Sequence, residues 1–223
     1  MVSLDFAAVL EQWPLLVQGI GATIWLVALA ATLGGFLGIA CAWARTWGPK
    51  PLAWLAAGYV ESIRNTPFIV QLFVIFFGLP SAGVRLSPEW ASALAMVINL
   101  GAYAGEIVRA GVEATPRGQV EAGLSLALTP GQVFRRVVVP PALARVWPAM
   151  VSQIVIVMLG SAVCGQISAR ELSYFANLIQ SRNFRAFEAY LVATAGYLVL
   201  AIALRRLLLW VGPRFLFGTV WRG

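Results

Sequence analysis

Few side chains in this sequence could carry out chemistry. There is no histidine, Asp5 is the sole aspartate among nine acidic residues, and no group of carboxylates is spaced as a catalytic dyad, a triad or a metal-ligand set. Catalytic and metal-binding residues are therefore not expected. Cys41 and Cys164 stand far apart in apolar stretches, without the paired spacing of a zinc or redox motif, and are expected to pack as small apolar groups. A Gly-rich phosphate loop ending in Lys-Ser or Lys-Thr is also missing, so nucleotide hydrolysis is not expected of this chain. What remains is suited to pairing and hydrogen bonding. Glu106 and Arg109 are three residues apart, share one helix face and can form an ion pair, and Glu61 with Arg64 repeats that spacing. Gln71, Asn99, Tyr103, Gln153 and Ser161 are neutral polar groups inside apolar runs. Such groups can bond a ligand's carboxylate and ammonium or can hold helices together.

These polar groups are embedded in a strongly apolar chain. Of 223 residues, 60% are hydrophobic and 11% charged, and the mean hydropathy is +0.82. A hydrocarbon layer of roughly 30 Å takes about twenty apolar residues to cross as helix. Runs that approach this length recur at residues 15–43, 52–79, 90–111, 146–163 and 187–210. Pro67 interrupts the second, whose apolar part at 68–79 reaches only about 18 Å, so either the preceding helix supplies depth or the span breaks there. The expected fold is all-α and polytopic, a single domain over residues 1–223 with five spans and no room for a separate catalytic domain. The first run has no basic residue before it, unlike a cleavable signal, and should remain as a helix. Gly34 with Gly38, and Gly101 with Gly105, are each four apart on one helix face and are expected to let neighbouring helices approach closely.

Charge sets the orientation. With the N-terminus outside, the inner segments hold Arg45, Lys50, Arg64, Arg109, Arg117, Arg135, Arg136, Arg145, Arg205, Arg206, Arg214 and Arg222, against Arg85, Arg170, Arg182 and Arg185 outside. This asymmetry places the N-terminus in the periplasm and the C-terminus in the cytoplasm. The net charge of +7 is thus explained by topology; basic residues are not clustered with aromatics on a polar face, and nucleic acid is not expected as a partner.

The longest polar stretch, residues 115–145, is too rich in charge and proline to lie in lipid. Glu121 and Ala122 open a short helix, Thr129 and Pro130 can cap and start a second, and Pro140 with Pro141 is expected to end it. On pattern alone, this hairpin could simply cap the bundle.

The spacing within the hairpin resembles the EAA motif of ABC importer permeases, which is Glu-Ala-Ala, three residues, Gly, nine residues, Ile-x-Leu-Pro. Here the corresponding residues are Glu121-Ala122-Gly123, Ala127, and Val137-Val138-Val139-Pro140. Departures fall at Gly123, at Val137 and Val139, and at Ala127, where the family usually carries a glycine free to adopt left-handed backbone. Two further blocks, at residues 59–72 and 101–111, resemble the polar amino acid uptake branch of these permeases, which serves substrates such as histidine, glutamate, glutamine, arginine and opines. That resemblance implies a bacterial inner-membrane subunit that pairs with a second permease subunit, identical or not. It also implies two cytoplasmic ATPase subunits holding ATP-Mg and a periplasmic substrate-binding protein, with no cofactor on this chain. Glu121, Ala122, Gly123, Leu126, Ala127, Arg135 and Pro140 would form the coupling surface toward the ATPase. Leu159-Gly160 stands where relatives often carry a polar pair such as Lys-Asp. Of the rival readings, an intramembrane enzyme lacks the groups it would need, and a passive channel has no use for a docking hairpin.

Overall fold

The computed structural model describes residues 4–216, so Arg222, assigned above to the inner side, lies outside the described residues. Helix is the regular structure throughout: α1 Trp13–Thr46, α2 Lys50–Arg64, α3 Phe68–Ala82, α4 Pro88–Glu113, α5 Arg117–Ser125, α6 Pro130–Ile167, α7 Leu172–Asn183 and α8 Ala186–Arg214. Helices α1, α4, α6 and α8 are each long and apolar enough to cross a membrane. Helices α2 and α3 pass that test only together, bent by 110° at the break between them. Of the two alternatives that Pro67 left open, added depth from the preceding helix or a break, the structure shows a break there.

Helices α1 and α4 lie side by side in the same direction. Trp25 meets Trp90 edge-on at 5.2 Å near one end, and Arg45 meets Glu106 at 2.5 Å near the other. Lipid tails are as apolar as leucine, so helices in a bilayer associate by close packing rather than by exclusion of water. The two glycine pairs supply that closeness from opposite sides of one interface. A Cβ on Gly38 would stand 2.5 Å from the Cβ of Ala104, and one on Gly101 would stand 2.6 Å from Leu37. Cys41, buried and unpaired, packs at the same seam beside Gly105.

The expected stop at Pro140 and Pro141 does not occur, and α6 runs on to Ile167. Residues Phe134–Val138 form a π turn, and the α-helix that resumes at Val139 receives both prolines in its first turn. A proline needs no N–H there, so the helix absorbs the pair without breaking. The hairpin is therefore a short helix, α5, laid against the start of a long one. Between α6 and α8 stands α7, capped by Glu171, whose fully buried carboxylate accepts from the N–H groups of Ser173 at 3.0 Å and Tyr174 at 2.8 Å and from the Tyr197 hydroxyl.

Helix α5 ends in a Schellman closure. The N–H of Ala127 donates to the Leu124 carbonyl at 3.0 Å and that of Leu128 to the Gly123 carbonyl at 3.3 Å, with Ala127 held at φ +57°. The left-handed turn that glycine would favour is thus made by alanine against its steric preference. Helix α6 then opens in a capping box, in which Gln132 N–H donates to Thr129 Oγ1 at 3.3 Å and Thr129 N–H to Gln132 Oε1 at 2.8 Å.

Two substitutions check these contacts through the thermal midpoint of the detergent-solubilised protein. Gly38→Leu forces α1 away from α4 and is expected to destabilise by about 1–3 kcal/mol, whereas Gly35→Leu, into open space, is expected to leave the midpoint within about a degree. Ala127→Gly relieves the left-handed alanine and is expected to stabilise by up to about 1 kcal/mol.

Candidate functional site

A break in a membrane-embedded helix leaves backbone groups that lipid cannot satisfy, so the protein itself must supply partners. Pro67 lacks an N–H and disfavours helical backbone at Thr66, which ends α2 at Arg64 and starts α3 at Phe68. The buried side chain of Gln71 reaches back across the gap, its Nε2 donating to the carbonyls of Ile63 at 2.8 Å and Thr66 at 3.0 Å. Its Oε1 accepts from Asn99 Nδ2 at 3.0 Å, which fastens the break to α4.

Beside the break lies a cavity of about 350 Å³, lined by Thr66, Phe68, Asn99, Tyr103, Gln153 and Gly160 among others. Asn99 stands eleven residues into α4, about 17 Å along its axis at 1.5 Å per residue, near the middle of a bilayer. Three of the five neutral polar residues singled out in the sequence, Asn99, Tyr103 and Gln153, thus converge from α4 and α6 on one space. Gln71 stays behind the wall, committed to the break, and Ser161, fully buried one residue beyond Gly160, does not line the cavity. Thr66, Phe68 and Gly160 were not singled out as ligand contacts; Pro67 was the signal, since the residues flanking a forced break face the space it opens. A larger cavity of about 500 Å³ between α1 and α8 is lined almost wholly by aliphatic side chains such as Ile24, Val27 and Leu204, and offers little to orient a polar ligand.

About two turns beyond Asn99, Glu106 gathers three guanidinium groups. Arg45 from α1 stands 2.5 Å away, Arg109 pairs from the same helix, and Arg64 from the end of α2 approaches to 3.8 Å. Arg109 also bonds Glu113 at 2.5 Å, and the Arg64 guanidinium lies 5.7 Å from the centre of the Tyr103 ring. The expected Glu106–Arg109 pair is thus the core of a cluster joining three helices. The expected Glu61–Arg64 pair does not form. Glu61 accepts from Asn65 Nδ2 at 3.1 Å, and Arg64 turns instead toward Glu106, whose partly buried carboxylate gives a charge partner more than an exposed one does.

At the α5 end of the bundle, Glu121, Ala122, Leu126, Ala127 and Arg135 are exposed, Leu126 to 77%. Gly123 is buried, because a Cβ there would stand 3.1 Å from Val133, and Pro140 is half-buried. Beneath this surface Val133, Phe134 and Val138 pack against Val108 and Val112 of α4 and against Ala142. The exposed knuckle is therefore seated on the two helices, α4 and α6, that line the cavity.

The family described as the binding-protein-dependent transport system inner membrane component matches residues 34–217. A probable glutamine ABC transporter permease protein of Bacillus subtilis is 37% identical over 180 residues, covering 80% of this chain and 83% of the relative. The glutamine transport system permease protein of Escherichia coli K12 is 34% identical, covering 90% and 92%. The arginine transport system permease protein of Bacillus subtilis is 30% identical, covering 91% and 93%. A crystal structure of an amino acid ABC transporter with histidines superposes with a TM-score of 0.84 at 34% identity, covering 96% of this chain and all of that one. An inward-facing methionine ABC transporter shares the fold at a TM-score of 0.70 and 21% identity, with 92% and 96% covered. The broken span, the mid-depth cavity and the seated knuckle accordingly belong to an ABC transporter permease: the chain is a member of the binding-protein-dependent transport system inner membrane components.

Proposed function

We propose that this chain is the membrane-spanning subunit of an ATP-driven importer of polar amino acids, fed by a periplasmic binding protein and driven by two cytoplasmic ATPase subunits that hold ATP-Mg. A second permease subunit completes the pathway. The relatives named for glutamine and arginine transport support the substrate class. The observation that carries the coupling role is the exposed knuckle, with Glu121, Ala122 and Leu126 on its surface and apolar anchors beneath. Orientation follows from charge. Arg45, Lys50, Arg117, Arg135, Arg136 and Arg145 lie in or beside the segments at the knuckle end, which supports a cytoplasmic knuckle, a periplasmic N-terminus and a cytoplasmic C-terminus.

Helix α6 is the lever. It is continuous from Pro130 to Ile167, with Arg135 beside the docking surface and Gln153 at the cavity, about 27 Å apart along its axis. When the ATPase pair closes on ATP, it pushes the knuckles of the two permease subunits together. The push reaches α6 and α4 directly, and the bundles rock as rigid bodies from inward-facing to outward-facing around the cavity. Hydrolysis and release reverse the motion, and substrate leaves toward the cytoplasm.

Glu121→Arg reverses charge on the docking surface without touching the bundle. In vesicles carrying the assembled transporter it is expected to lower uptake of radiolabelled glutamine by at least about tenfold while the protein still inserts; unchanged uptake would count against docking here. Orientation has its own check. Cys41 and Cys164 are buried, so a cysteine introduced as Leu126→Cys is expected to react with a membrane-impermeant maleimide only when the cytoplasmic face is opened. Labelling on intact spheroplasts would reverse the topology.

A further inference from the structure

We infer that the cavity beside the break selects amino acids whose side chains are polar but uncharged, and that Gln153 is the residue that sets this preference. The inference rests on the importer reading and narrows its substrate. Every lining residue is uncharged: hydroxyls come from Thr66 and Tyr103, amides from Asn99 and Gln153, and the remainder is apolar, including Phe68, Ile156 and Val157. A charge brought into such a site must either find a partner or carry its full desolvation penalty.

The charged cluster that abuts the Tyr103 ring is not balanced. The Glu106 carboxylate is shared among Arg45, Arg64 and Arg109, and Glu113 pairs with Arg109, so three guanidinium groups face two carboxylates and one positive charge is left over. Arg64, the most exposed of the three and the longest of the contacts at 3.8 Å, stands against the Tyr103 ring that lines the cavity. A single surplus positive charge at the inner edge suits one carboxylate, the one every amino acid has. The α-ammonium finds the face of Tyr103 and the amide oxygens. A second carboxylate on the side chain would have no partner, and a cationic side chain would face the surplus positive charge with no acid to meet it.

The two amides differ in their freedom. Asn99 has given one N–H to Gln71, whereas the side-chain amide of Gln153 makes no hydrogen bond to any described residue and the residue is only half-buried. An amide with a free donor and a free acceptor matches a carboxamide or a hydroxyl, and a site built on hydrogen bonds rejects side chains that leave its groups unpaired.

The test is equilibrium binding of tritiated glutamine to the detergent-solubilised transporter, without its binding protein, in competition with asparagine, arginine and glutamate. Asparagine is expected to compete within a few-fold of glutamine, and arginine and glutamate at least about tenfold more weakly. Gln153→Glu keeps the side-chain shape and supplies the missing acid, so it is expected to strengthen arginine competition by at least about tenfold while weakening glutamine. Arginine or glutamate competing on a par with glutamine in the unaltered complex would overturn the inference, as would an unchanged order in an intact Gln153→Glu complex. A complex that transports amino acids but binds none of the four overturns the placement of the site and leaves the importer reading standing. One that neither binds nor transports any overturns both.

Discussion

A polypeptide in hydrocarbon has no solvent to fall back on, so each backbone polar group must be answered from within the protein. In this chain that constraint bears hardest at one place, the 110° break between α2 and α3. Gln71 answers it by bonding the carbonyls of Ile63 and Thr66 and by accepting from Asn99. One amide thus allows an irregular segment at membrane depth, fixes its angle to α4 and leaves room beside it. The cavity lies beside the break in the helix, and the break is tolerated because Gln71 answers the carbonyls it leaves.

Around that break the bundle is held by close contacts and a polar clamp. The glycine seam leaves no room for a Cβ between α1 and α4 at Gly38 or at Gly101. The Glu106 cluster adds a polar clamp from α1 and α2 onto α4, in a setting where removing one partner would strand the others. Helix α6 packs on α4 through Ala142 beside Gly111, and the π turn before Val139 places Pro140 and Pro141 at the start of a new helical stretch, with Pro148 further inside it. The result is a set of stiff elements that meet at the cavity and end near the knuckle. Such a set can pass a push from one end to the other without absorbing it in bending.

The knuckle shows how a sequence departure is accommodated. Alanine stands where a glycine would turn most easily, yet the Schellman bonds at Ala127 and Leu128 hold the left-handed residue in place. Gly123 compensates on the buried side, where Val133 approaches too closely for a larger residue to fit without adjustment. The turn of the knuckle closes although two of its small residues differ from the usual pattern.

The sequence by itself determined the membrane class, an all-helical chain with four to five candidate spans, Pro67 as the point where the second could break, the small-residue faces and the exposed hairpin with its family spacing. All of these follow from local composition, period or register, which a chain cannot hide. It also singled out Asn99, Tyr103 and Gln153, because polar groups in apolar runs are conspicuous. Tertiary structure alone decided which of those groups share a space: Gln71 and Ser161 carry the same local signal, yet the first is spent on the break and the second is buried away from the cavity. Pairing was decided at the same level, since Arg64 lies close in sequence to Glu61 but close in space to Glu106. The fate of Pro140 and Pro141 likewise depended on a π turn that no residue type announces. Spacing along a helix limits which partners are near, but the packing of other helices sets which of them is least solvated and therefore strongest.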